Sequence, residues 1–297
     1  MKNIFKSSFM LLLALSVAFS VNLEGANAAV KEVPRATWLW NTQDIINQAD
    51  EQLQFLADHQ ANIVYLQVNP SIKNHVYYAF IQKANRLNIE VHALDGASSW
   101  AKTTGQSQAK KFFDWVERYQ KNAPANAKFT GIHLDVEPYT LKEWTSNYKQ
   151  TVLNFQKLMV ESKKRADKMK LPLAADIPFW FDEQFYHNQF GNGVLSEWMI
   201  DNTDAVAIMA YRNQAIGSNG IIELSRSEME YAESVGKLVS IAVETNATSE
   251  GAYLTFYEES AQLMEQQLAL VEQSFQGKTS FNGFSIHSIN GWMELKK

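Results

Sequence analysis

The chain has 297 residues, 12% of them aromatic, no cysteine, and a formal net charge of −5. Such a length suits one large core, and the missing cysteine excludes disulfides, thiolate metal sites and a cysteine-borne lipid anchor. Mild acidity without a basic stripe argues against nucleic acid as a partner.

The first element in chain order is a leader. Lys2 and Lys6 precede an apolar run from Phe9 to Val21, and Ala26-Asn27-Ala28 supplies a small-x-small cleavage site. These features predict a signal peptide over residues 1–28, export from the cell, and no membrane attachment after cleavage. The mature chain, 29–297, alternates short β-rich runs with helical patterns. Thr37–Trp40 is the first strand, followed by helical spacing through Ile45, Ala49, Leu53 and Leu56. Ile63–Val68 is the second, with a helix over 76–88 after it. Ile89–Leu94 is the third, followed by a helix over 107–120. Thr130–Val136 is the fourth, followed by a long helix over 148–169. Leu171–Ile177 is the fifth, and a short helix over 194–200 precedes the sixth, Ala205–Ala210. A helix over 223–234 leads to the seventh, Leu238–Val243. A helix over 256–275 leads to the eighth, Gly283–His287.

Strands alternating with crossover helices form a parallel sheet, and eight such units predict a closed (β/α)8 TIM barrel, an α/β fold, in a single domain. The rival, an open doubly wound sheet, lacks its glycine-rich phosphate loop here. The basic run Lys163-Lys164-Arg165 with Lys168 reads as a solvated helix face.

Barrel strands are buried on both sides, so polar residues at their carboxyl ends are informative. Every predicted strand ends on some. Trp40 and Asn41 end the first, Gln67 and Asn69 the second, and His92 and Asp95 belong to the third. His133, Asp135 and Glu137 belong to the fourth, Asp176 and Trp180 to the fifth, and Tyr211 and Arg212 to the sixth. Glu244 and Asn246 end the seventh, and His287 closes the eighth. These residues are expected to converge on one mouth.

The densest segment runs from Gly131 to Pro138. His133, Asp135 and Glu137 are two apart and share the barrel side, while Ile132, Leu134 and Val136 face the helices. Two carboxyls this close cannot both ionise freely, so one proton is held near neutrality, as a general acid requires.

At this segment the chain resembles the family 18 glycoside hydrolases, the chitinase-like barrels, whose fourth strand reads D-G-x-D-x-D-x-E. Gly131, Asp135 and Glu137 match, whereas Thr130 and His133 stand where the family has aspartates. Met209-Ala210-Tyr211 matches the family's M-x-Y, with Arg212 in place of Asp or Asn. His287 aligns with the tryptophan that floors the family's sugar site, and Trp292 follows nearby. The resemblance implies a glycosidase on a poly- or oligosaccharide, acting as a monomer without cofactor. In it Glu137 protonates the glycosidic oxygen, and Asp135 orients a substrate acetamido group that Tyr211 hydrogen-bonds. His133 in place of aspartate alters the proton relay.

The residues leave three other readings open. Glu137-Pro138 with Glu244 matches the acid and nucleophile positions of retaining barrel glycosidases. His92, His133, Asp135, Glu137, Asp176 and His287 are metal-ligand types without the spacing of the common zinc signatures. A barrel that binds glycans without cutting them needs only the aromatic rim.

Overall fold

Each predicted barrel strand carries two alternating sets of side chains, and each set has a partner in the fold. The computed structural model describes residues 33–296, so the predicted signal peptide lies outside the described residues. The barrel strands are β1 (Arg35–Leu39), β2 (Ile63–Gln67), β3 (Glu90–Asp95), β4 (Gly131–Leu134) and β5 (Leu173–Pro178). A hairpin follows, of β6 (Phe185–Asn188) and β7 (Gly191–Val194), and the barrel resumes with β8 (Ala205–Met209), β9 (Leu238–Glu244) and β10 (Phe281–His287). The eight barrel strands close in the order β1-β10-β9-β8-β5-β4-β3-β2, all parallel. This is the predicted (β/α)8 barrel.

The outward set, including Val64, Leu66, Val91, Ile132, Leu134, Ile208 and Ile241, joins the layer between strands and helices. The helix Gln106–Asn122 shows why it docks there. Its buried Ala109, Phe112, Phe113, Val116 and Tyr119 recur every three or four residues along one face. The inward set, Ala36, Trp38, Tyr65, Leu94, Ala207 and Ala242, fills the barrel. Small residues on β8 and β9 make room for the rings of β1 and β2, and Trp38 meets Tyr65 edge-on at 5.1 Å. The polar atoms in this interior find partners: Tyr65 Oη lies 3.2 Å from Ser285 Oγ, which donates to Ser240 Oγ at 3.0 Å.

The hairpin β6–β7 was not predicted. Its strands are short and half exposed, so they carry no continuous apolar signal. The turn is legible afterwards: Asn188 Oδ1 accepts from the Phe190 amide at 2.9 Å, and Gly191 takes φ +103°. The basic run on the helix Tyr148–Met169 is exposed in part, as expected, but it is also paired. Arg165 reaches Asp114 at 2.8 Å and Glu117 at 3.0 Å, Lys168 reaches Glu117 at 2.8 Å, and Lys163 pairs with Asp167. No helix among the described residues is long and apolar enough to cross a membrane.

Pairing of β10 with β9 slips between Phe281 and Phe284, and Gly283 sits in the slip at φ +78°. A Cβ there would lie 1.9 Å from the Pro34 carbonyl oxygen, which accepts from the Phe284 amide at 2.9 Å. Both the left-handed backbone and this contact require glycine. Gly283→Ala is expected to destabilise the barrel by roughly 1–3 kcal/mol, the cost of a residue held in a disfavoured conformation. A denaturant midpoint equal to wild type would contradict that.

A second expectation concerns pH. Glu228 faces inward from the helix Arg226–Val235, fully buried, with neither carboxyl oxygen bonded to another group. Burial, helped by the charge of Asp182, pushes it from 4.5 up to about 9. The folded state therefore keeps a proton that the unfolded chain releases. Its stabilising contribution is full below about pH 4.5 and is lost as pH rises towards 9. Glu228→Gln is expected to remove this decline. Urea unfolding at several pH values checks it, and parallel wild-type and mutant curves would sink the idea.

Candidate active site

The site begins inside β4. His133, at inward parity, stacks on Tyr65 with ring centroids 3.7 Å apart and meets Trp38 edge-on at 5.7 Å. Its Nε2 lies 2.8 Å from Asp176 Oδ1, and the Trp38 indole N–H donates to Asp176 Oδ2 at 3.2 Å. Both members of the pair are buried. Burial takes the imidazole down to about 3, so it is neutral, and pushes the Asp176 carboxyl well above its ordinary range. One proton between Nε2 and Oδ1 satisfies both facing atoms.

The chain leaves β4 along the same alternation, which carries Asp135 and Glu137 to the mouth. The loop after β3 packs directly on this stretch. The Asp135 amide donates to the Asp95 carbonyl at 3.2 Å, and a Cβ on Gly96 would fall 1.8 Å from the Asp135 carbonyl oxygen. The Asp135 carboxyl is held well above the usual range, first by burial and then by the charges of Asp176 and Glu137. The proton expected from crowding therefore resides on Asp135. Its Oδ1 is buried and has no protein partner, so the group waits with an unused acceptor or donor.

Glu137 has a close neighbour. The turn Pro138–Thr140 brings Tyr139 back, and its hydroxyl donates to Glu137 Oε1 at 2.6 Å. Burial and then the Glu137 charge raise the Tyr139 hydroxyl far above its normal value, so it remains a donor. Tyr139 meets Trp180 edge-on at 5.0 Å, and Trp144 lies 6.1 Å from Trp180 and stacks on Phe181 at 5.8 Å. These rings form an aromatic wall beside the two carboxyls.

The facing wall comes from β8, β9, β10 and β1. Glu244 Oε1 accepts from the Thr245 amide at 2.8 Å, the Asn246 amide at 2.7 Å and Asn246 Nδ2 at 2.6 Å. Its Oε2 lies 2.9 Å from His287 Nδ1. The Trp40 indole N–H donates to His287 Nε2 at 2.9 Å. Because indole can only donate, this contact needs an unprotonated Nε2, which places the imidazole proton on Nδ1, toward Glu244. Burial opposes a charged imidazole, but the bond to Glu244 and the nearby Asp135 and Asp176 outweigh it, and the pKa of His287 is raised. Tyr211, 6.1 Å from His287, is partly buried; burial raises its hydroxyl strongly, and the charges of Glu244, Asp176 and Asp135 act in the same direction.

The structure thus brings Trp40, His133, Asp135, Glu137, Asp176, Trp180, Tyr211, Glu244 and His287 to the mouth or just beneath it. Gln67, at the end of β2, shares the inward parity of Tyr65. Asn69 lies in the loop beyond, where its side chain accepts from the Ser71 amide at 3.0 Å. The Arg212 guanidinium lies over the rings of Phe179 and Tyr253 at 5.1 and 5.4 Å.

Three expectations are corrected. His92 has inward parity but sits low in the barrel, paired in register with Gly131, the first residue of β4. Its Nε2 is 3.7 Å from Glu90, and it lines a cavity of about 350 Å³ with Pro34, Asn62, Pro172 and Asp204 at the amino ends of the strands. Asp95 is three residues from His92 and so has the opposite parity. Its carboxyl accepts from the Gly96 amide at 2.9 Å, burial pushes it up to about 6, and its charge acts on Tyr77 of the helix Asn74–Arg86. Trp292 is buried in the outer layer, edge-on to Phe55 at 5.3 Å and His59 at 5.6 Å. Among the described residues no three His, Asp or Glu side chains are grouped as a metal ion would need. With His92 at the far end of the barrel, the six candidate ligands do not share one place.

Sequence reasoning missed Trp38 and Tyr139. Trp38 lies two residues before Trp40 and so shares its side, a signal available from parity alone. Tyr139 needed knowledge of the turn after Pro138.

No protein-family model matches the sequence, and no curated protein is significantly similar to it. Among solved structures, a plant class V chitinase mutant from Cycas revoluta, in complex with (GlcNAc)3, aligns at 12% identity. The alignment covers 88% of this chain and 96% of that one, with a TM-score of 0.54. A chitinase from Chromobacterium violaceum aligns at 12% identity over 89% of this chain and 98% of its own, also with a TM-score of 0.54. The exo-beta-1,4-mannosidase Op5Man5 from Opitutaceae bacterium strain TAV5 aligns at 10% identity over 89% of this chain and 56% of its own, with a TM-score of 0.57. These likenesses establish the fold.

Proposed function

We propose that this protein is an exported glycosidase that cleaves a polysaccharide, with Glu137 as its general acid. The observation that carries the reading is the Asp135–Glu137–Tyr139 array. A carboxyl that keeps its proton stands two residues before one oriented by a 2.6 Å phenol hydrogen bond, beside an aromatic wall. Exported barrels meet polymeric glycans, and flat rings suit the apolar faces of sugars.

In this reading the proton held on Asp135 passes to Glu137, which delivers it to the glycosidic oxygen as the bond from that oxygen to the anomeric carbon breaks. The carbonyl oxygen of the substrate's own acetamido group forms the new bond to that carbon. Asp135 and the Tyr211 hydroxyl hold the acetamido group in place. Water then attacks, losing its proton to Glu137, and the acetamido group is released. Glu244 is assigned to fixing His287 and Trp40 rather than to nucleophilic attack, because its oxygens already take bonds from Thr245, Asn246 and His287. An acetamido sugar is the favoured substrate, because this route needs that group.

The test is release of reducing ends by the mature protein from N-acetylated and neutral polysaccharides, without added metal. Cleavage of an N-acetylated polymer is expected. Binding without cleavage would replace the enzyme with a glycan-binding barrel, a reading favoured by His133 in place of the family aspartate. Activity that requires metal and disappears with chelator would overturn the mechanism. Amino-terminal sequencing of exported material checks the leader, with a start near Ala29 expected, and elution as a monomer in gel filtration is expected of the same sample.

A further inference from the structure

The loops after β8 and β9 carry a feature that the bond-breaking groups do not use. Tyr253 is 53% exposed, yet its ring is fixed from several sides. Arg212 lies over it at 5.4 Å and over Phe179 at 5.1 Å, which ties the ring to the turn just past β5. Arg212 is itself tied down by bonds to the Tyr211 carbonyl and to Asn219 Oδ1, both at 2.7 Å. The Asn213 amide donates to the Tyr253 carbonyl at 3.0 Å, which joins the two loops. Gly251 leaves the room the ring needs: a Cβ there would lie 2.5 Å from Tyr253 Cε1, and its φ is +150°. An exposed ring held this way is preorganised.

Beside the ring lies a cavity of about 310 Å³, lined by Arg212, Asn213, Gln214, Ser218, Asn219 and Tyr253 among others. Its side chains are amides, a hydroxyl, an aromatic face and the exposed Ile216. The one cation, Arg212, already lies over two rings and donates to Tyr211 and Asn219. Such a lining matches a neutral pyranose, whose hydroxyls exchange hydrogen bonds with amides while its C–H face lies on an aromatic ring. The cavity is tied to the mouth through Arg212, which follows Tyr211 in the chain and lies over Phe179, the neighbour of Trp180.

We infer that Tyr253, with the amide-lined cavity beside it, is an outer subsite that grips a neutral sugar unit of the same chain whose bond is cut at Glu137. The inference rests on the glycan reading of the mouth and adds where the polymer runs: from the aromatic wall of Tyr139 and Trp180, across the strand ends, to the loops after β8 and β9.

The experiment measures binding by calorimetry in the Glu137→Gln protein, with chitohexaose and mannohexaose as probes and their disaccharides as controls. Tyr253→Ala is expected to weaken binding of the hexaose that the protein accepts by about tenfold, in line with one aromatic contact. Disaccharide binding is expected to stay the same. Tyr253→Phe keeps the ring and should bind like its parent, which separates stacking from loss of fold. If the hexaose binds equally to the Tyr253→Ala protein, the subsite is wrong while the glycosidase reading stands on Glu137-dependent cleavage. If binding falls as expected but no polymer is cut, the subsite stands and the chemistry falls. If neither hexaose binds, both are overturned.

Discussion

Glu137→Gln is expected to lower turnover on an unactivated polysaccharide by roughly 10²–10⁴-fold, the usual contribution of a positioned general acid. The substitution suits the geometry. A Gln side chain has the same shape, and its carbonyl oxygen can still accept the 2.6 Å bond from Tyr139. The fold and the glycan affinity should therefore survive, and only proton delivery is lost. The loss should shrink on aryl glycosides whose leaving group departs without a proton. Comparing turnover and affinity on both substrate types tests the assignment. Full activity in the mutant on the polymer would remove Glu137 from the mechanism.

Trp38→Ala is expected to be among the most damaging single changes for stability. Trp38 is 1% exposed and packs edge-on against Tyr65, His133 and His287. Truncating a buried Trp costs roughly 3–5 kcal/mol, with a further ~1–3 kcal/mol for a buried polar atom left without its partner. Here that atom is Asp176 Oδ2, which loses the indole donor. For a domain of this size the melting temperature should drop by roughly 10 °C or more. Trp38→Phe restores much of the volume but not the N–H, so it should fall between the two. A thermal shift for Trp38→Ala below that of Trp38→Phe would show that the barrel interior is not organised around this ring.

The barrel itself was readable because its strands announce themselves twice. Ile132, Leu134 and Val136 face the helices, and His133 and Asp135 face inward, as period-two alternation requires. The same rule would have removed Asp95, whose parity is opposite to that of His92 and Leu94. His92 failed for another reason: parity gives the side of a strand but not the height along it. Height depends on where each strand starts against its neighbours, and pairing of His92 with Gly131 sets it low. Trp292 was placed by nearness in sequence to His287, but the helix Ile289–Glu294 turns it to the outer layer. Tyr139 and the hairpin were illegible because short turns and half-exposed strands carry little periodicity.

The hairpin β6–β7 is inserted in the crossover from β5 to β8, ahead of the short helix Leu195–Asn202. Its base is closed by the Leu195 amide donating to the Gln184 carbonyl at 2.8 Å, and Asn188 Nδ2 anchors it to Gln156 Oε1 at 2.7 Å. It hangs from the turn that presents Trp180, yet none of its residues pairs with a barrel strand. This crossover is therefore a place where length and sequence can vary without disturbing the closure of the sheet. Lengthening or exchanging the hairpin would reshape the surface it forms with the helix Tyr148–Met169 while the groups at the strand ends stay fixed. It is the place in this barrel where divergence in sequence would cost least.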